Sequence, residues 1–158
     1  MAARAPLTWH REDDQLVIAG SIDESAKLVD LVGLAHDGKL ALDLADITFI
    51  NSVGVREWIR MQAAAQTLGV RIELRRVCKL LVNQLNIVPA ARGVSIVTSF
   101  YAPYDCAHCE SDELCLIDVA THGAKLARGE PPPLPCPRCR REMMLSHPPE
   151  LYLAFLVG

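Results

Sequence analysis

Four of the six cysteines in this chain fall into two pairs, Cys106-x2-Cys109 and Cys136-x2-Cys139. A two-residue spacer lets a tight turn aim both sulfurs of a pair at one point. Two such knuckles make a tetrahedral thiolate site of the kind that structural zinc accepts. Four thiolates leave no open position for water or substrate, so the spacing predicts a structural ion rather than a catalytic one. Residues 110–135, between the pairs, are long for a compact ribbon and read as a hairpin with a loose tip. Two disulfides, or a redox-active CxxC, are the competing uses of the same residues. His108, inside the first knuckle, is either a substitute ligand or a solvent-facing turn residue.

Compartment decides between metal and disulfide. Residues 1–20 carry no apolar stretch followed by a small-residue cleavage site, so no secretory signal is expected. The apolar run Leu151–Val157 is far too short to span a bilayer, and no membrane insertion is expected. The expected location is the cytoplasm, where reduced cysteines favour zinc. Cys115 alternates with Ile117 and Val119 and reads as ribbon core. Cys78, at a helix start, is either a thiol of lowered pKa or a small buried residue.

Charge and motif content exclude other classes. Net charge is -3, with acids and bases balanced in the first hundred residues and acids in surplus after them. Zinc ribbons that hold nucleic acid need a basic footprint, which is missing here, so nucleic-acid binding is the weakest of the readings carried forward. Arg138, Arg140 and Arg141 stand beside Glu142 and read as a solvated knuckle. Asp23, Asp43 and Asp46 fall at turns and strand ends, and His10, His36, His122 and His147 lack ligand spacing. There is no glycine-rich phosphate loop and no nucleophile elbow, and no enzyme is expected.

The elements that must position these residues come from hydrophobic periodicity. Leu7–Arg11 and Gln15–Ala19 pair as strands across Asp13-Asp14. Ser21-Ile22-Asp23-Glu24 matches a capping box and predicts a helix to about His36, with Leu28, Leu31, Val32 and Ala35 buried and Asp37-Gly38 as its stop. Lys39–Leu44 alternates as a strand and Ile47–Ile50 continues it. Val53–Leu68 is the strongest helix, with Trp58, Met61, Ala65 and Leu68 on one face and Gly69 at its end. Val70–Val77 alternates again, Cys78–Val88 is helical, and Gly93–Phe100 is a last strand. Such alternation implies an α/β layer with helices packed on a sheet. Residues 1–101 form this domain, 102–145 a zinc ribbon, and 146–158 a final helix that packs back on the domain. The ribbon is thus an insertion before the last helix.

The stretch Leu42–Val55, LDLADITFINSVGV, resembles the signature of STAS domains, the anti-sigma-factor antagonists. Gly20-Ser21-Ile22-Asp23 is similar to the family's earlier turn. The resemblance covers about residues 7–100. It implies a STAS-like sheet and a non-enzymatic protein-binding module. It also implies a serine at the strand-to-helix turn that a partner kinase, often itself an anti-sigma factor, phosphorylates to release the complex. Ser52 falls on that serine, and the docking surface would comprise Asn51, Ser52, Val53, Gly54, Arg56 and Arg60. Here Asn51 stands where the family carries an acid, Val53 where it carries a second hydroxyl, and Arg56 where a small residue is usual. Serine is also a preferred N-cap, so Ser52 has a purely structural role available. A constitutive STAS subunit of a transporter or scaffold, with Ser52 unmodified, is the alternative.

Overall fold

Two sheets with connecting helices give the chain an α/β architecture in the computed structural model, which describes residues 3–157. The first two strands, β1 (Thr8–Glu12) and β2 (Gln15–Ile22), form the expected antiparallel hairpin over Asp13 and Asp14. Then β2 runs parallel to β3 (Lys39–Ile50), β3 parallel to β4 (Arg71–Arg75), and β4 parallel to β5 (Ser95–Val97). The order in this five-stranded sheet is β1-β2-β3-β4-β5. Parallel neighbours need crossovers. The helices α1 (Leu28–Val32), α2 (Ser52–Leu68) and α3 (Lys79–Ile87) lie in the three crossovers.

Helix α2 is held at its C-terminal end and along its middle turns. Gly69 closes it in the left-handed conformation, φ 69°. Trp58 donates its indole N–H to the Ala91 carbonyl at 2.8 Å, and buried Gln62 reaches the Ser95 hydroxyl at 3.0 Å. Trp58, Met61 and Ala65 are buried as expected, but Leu68, in the last turn, is 68% exposed.

The predicted helix from Ser21 to His36 is not formed. The β2–β3 ladder extends through Ser21 and Ile22, which pair with Phe49 and Ile50, so Ser21 is a buried strand residue rather than a cap. Asp23 ends the strand instead, its carboxylate accepting from the amide and hydroxyl of Ser25 at 2.9 and 2.6 Å. Only Leu28–Val32 is helical, and Ala35 is half-buried beyond it. Asp37 and Gly38, with φ of 51° and 73°, form the tight turn that opens β3.

The predicted strand Gly93–Phe100 is divided at Thr98. Upstream is β5, and downstream β6 (Ser99–Cys106) starts the second sheet, three residues before the expected ribbon boundary. That sheet also contains β7 (Ser111–Asp118), β8 (Leu134–Pro135) and β9 (Glu142–Leu145), in the order β7-β6-β9-β8. Between β7 and β8 a helix, α4 (Val119–Ala127), replaces the expected loose tip. Its start is capped by Asp118, which accepts from the Thr121 amide at 2.9 Å.

The chain closes with a short helix, α5 (Pro149–Tyr152), and a 3-10 turn, Ala154–Leu156. These pack on α3 and on the start of β6. Phe155 meets Phe100 edge to face at 5.1 Å, and Tyr152 donates to the Tyr101 carbonyl at 2.6 Å. Tyr152, Leu153 and Phe155 are buried, whereas Leu151 and Val157, expected to be covered, are 65% and 56% exposed. One apolar core runs continuously from Leu16 in β2 to Phe155. No helix among the described residues is long and apolar enough to cross a membrane.

Candidate functional site

The four paired cysteines converge. Cys106 ends β6 and Cys109 lies in the turn to β7, while Cys136 and Cys139 lie in the turn between β8 and β9, so each knuckle is a hairpin tip. All four sulfurs lie within 4.8 Å of one another. Cys106 and Cys139 are 3.4 Å apart, Cys109 and Cys136 3.6 Å. A metal held tetrahedrally by thiolates at about 2.3 Å requires sulfurs about 3.8 Å apart, so the cluster has the dimensions for one ion.

Backbone geometry repeats in the two knuckles. The residue after each second cysteine, Glu110 and Arg140, has a left-handed φ of 55° and 63°. In each knuckle, amides inside the turn face the first sulfur. The Cys109 amide, aided by that of His108, holds the Cys106 thiol below its ordinary range. The Cys139 amide, aided by that of Arg138 at 3.4 Å, brings Cys136 down to about 6. At Cys139 the Arg141 amide acts the same way, but the sulfurs of Cys106, Cys136 and Cys109 outweigh it and push the thiol up to about 11. Four sulfurs this close resist full ionisation unless a cation offsets their charge, which is the electrostatic condition for a metal ligand set.

Ser111 was not singled out by sequence, and its signal is only positional, two residues past a knuckle. It is buried with its hydroxyl 3.1 Å from the Cys109 sulfur and 3.6 Å from that of Cys136. It thus supplies an outer hydrogen bond to the cluster. His108 is not one of the convergent ligands. Its Nδ1 accepts from the Arg141 guanidinium at 2.6 Å. The other knuckle bases are exposed as expected, Arg138 lying 3.8 Å from Glu113. Cys115, half-buried in β7, and Cys78, before α3, lie outside the cluster, and burial raises both thiols.

A second set of predicted residues meets at the turn from β3 into α2. Asn51, not Ser52, is the N-cap, with its side-chain oxygen accepting from the Gly54 amide at 2.8 Å. The Asn51 amide nitrogen donates to Glu24 at 3.1 Å and fixes the side chain from behind. Ser52 is the first helical residue and is exposed. Gly54 is buried against β2, where an added Cβ would collide with the Ile22 carbonyl group. Val53 is half-buried, and Arg56 and Arg60 are exposed, Arg60 paired with Glu57 at 2.6 Å.

Of the carboxylates set aside in the sequence, Asp23 and Asp43 hold local structure and Asp46 is exposed. Asp43 is buried, accepts from the Ala45 amide at 3.1 Å and faces the Arg76 guanidinium at 3.3 Å. No protein-family model matches the chain, and no curated protein matches it in sequence.

Proposed function

We propose that the chain is a non-enzymatic protein-docking module of the anti-sigma-factor-antagonist type, with a structural zinc ion on Cys106, Cys109, Cys136 and Cys139. Its partner contacts the turn from β3 into α2, and phosphorylation of Ser52 by that partner or an associated serine kinase releases it. The observation that carries the switch is the division of labour at Asn51 and Ser52. Because Asn51 caps the helix, Ser52 is not needed for capping, and its exposed hydroxyl is left for another use.

The site's electrostatics fit a docking switch. A phosphate brings about 1.5–2 negative charges at pH 7. At the first turn of α2 it would meet free amides and the positive end of the helix, with Arg56 one turn on. The fold therefore tolerates it. A partner seated on Asn51, Ser52, Val53, Gly54, Arg56 and Arg60 does not, since charge and bulk appear at the centre of its contact. The antiparallel-then-parallel sheet and the placement of this turn after β3 support the family likeness. The zinc assignment rests on the soft, closed, four-sulfur set.

The test compares Ser52→Asp and Ser52→Ala in affinity capture, with thermal melting of each. The expected result is near-native melting for both, loss of the captured partner with Asp, and retention with Ala. Equal capture by both makes the chain a constitutive subunit. Unfolding of the Asp variant removes the docking turn itself from consideration.

A further inference from the structure

The outer face of the second sheet presents a different surface from the Ser52 turn. Strand β7 is an edge strand of eight residues, and among the described residues it pairs with β6 alone. The Val119 amide bonds the Thr98 carbonyl, and alternation along the ladder then turns the backbone groups of Asp112, Leu114, Leu116 and Asp118 away from β6. The side chains of these same residues lie on the exposed face, with Leu114 58% and Leu116 48% exposed. Met144 of β9, 74% exposed and paired in register with Asp105, continues the apolar surface beyond β6.

Charge identifies what this edge is built to receive. The four strands of the second sheet contain no lysine, arginine or histidine, yet carry Asp105, Asp112, Glu113, Asp118 and Glu142. Asp105 and Asp112 stand directly opposite each other across the β6–β7 ladder, a like-charge pair that a cationic side chain would relieve. Open backbone donors and acceptors select polypeptide, and the acids repel nucleic acid and anionic lipid surfaces. They also oppose a second copy of β7, which would bring acids against the same acidic strand.

We infer that β7 is a strand-addition site for an extended peptide with basic flanks and an apolar centre, reading Lys/Arg-x-Φ-x-Φ-x-Lys/Arg, where Φ is apolar. Its backbone extends the ladder, its two apolar side chains cover Leu114 and Leu116, and its terminal bases meet Asp112 and Asp118. The outward order acid, leucine, leucine, acid reads the same in both directions, so side-chain pairing admits either strand orientation.

Two seven-residue probes test this on the metal-loaded full chain by amide chemical-shift titration: Lys-Thr-Val-Thr-Val-Thr-Lys and the same peptide with Glu at both ends. The lysine peptide is expected to shift amides of Ser111–Asp118, to bind at least tenfold more tightly than the glutamate peptide, and to weaken as salt is raised. Leu116→Lys, at an exposed position, should reduce binding at least tenfold while melting and metal content stay unchanged. Equal binding of the two peptides overturns the proposal, as do shifts confined to the β1 or β5 edge, or no shifts. Concentration-dependent association that protects β7 without peptide assigns the edge to a second copy and equally overturns it.

Discussion

Gly54 illustrates how closely single residues set the turn from β3 into α2. Its missing Cβ is what lets α2 start against the backbone of Ile22. Gly54→Ala is expected to lower stability on the order of 3 kcal/mol, because the obstacle is main chain and cannot rotate aside. Chemical denaturation measures this, and an unchanged midpoint would mean that α2 stands further from β2. Arg140 is the converse case. It holds a left-handed φ at which a side chain costs about 1 kcal/mol, so Arg140→Gly should leave metal binding intact and raise the melting temperature slightly. Asp14 gives the acid dependence. Arg75 binds both of its oxygens, at 2.8 and 2.9 Å, and holds its carboxyl down to about 2. A carboxyl depressed in the folded state stabilises above its unfolded pKa, about 3.9, and loses that contribution as pH falls toward 2. Asp14→Asn should therefore flatten the stability profile between those values and leave the neutral region less affected in slope.

At the scale of elements, one side chain bridges the two turns of the C-terminal segment. Asn86 of α3 donates to the Tyr152 carbonyl at 2.9 Å and accepts from the Phe155 amide at 2.8 Å, so one amide group ties both closing turns. Asn86→Ala should cost about 1–3 kcal/mol and expose Phe155, seen as a lower melting temperature and dye binding to apolar surface. Elements with strong local signals were legible in the sequence. Gly69 and the apolar face of Trp58, Met61 and Ala65 define α2, and the CxxC pairs place two hairpin tips. Elements decided by partners elsewhere were not. Ser21 satisfies a capping pattern locally, yet pairing with Phe49 keeps it in a strand. Helix α4 contains Gly123 and a non-helical His122, φ -113° and ψ 17°, which blur its periodicity. The break at Thr98 has no turn residue to mark it, since extended backbone continues on both sides. The role of Asn51 as cap was hidden because Ser52 is an equally good capping type.

For the whole molecule, the two sheets differ in what maintains them. The five-stranded sheet and its helices supply most of the apolar core that the two sheets share. The β8–β9 hairpin is short, with Leu134 and Pro135 alone paired to β9, and an ion on the four cysteines would contribute about 10–16 kcal/mol. Chelation is therefore expected to open the β6–β7 and β8–β9 tips and leave most of the far-ultraviolet dichroism. Complete unfolding on chelation would mean that the common core cannot survive the loss of one end. Thr98 gives this question a local clock. Its amide donates to Leu74 in the first sheet, at 2.9 Å, while its carbonyl accepts from Val119, the first residue of α4 just past β7, also at 2.9 Å. One peptide group on either side of a single residue thus reports a different sheet. In deuterium oxide, metal removal that opens the tips alone should leave both amides slow, and loss of the whole second sheet would accelerate Val119 while Thr98 stays slow. If both amides speed up together, the crease between the sheets opens as a single cooperative unit.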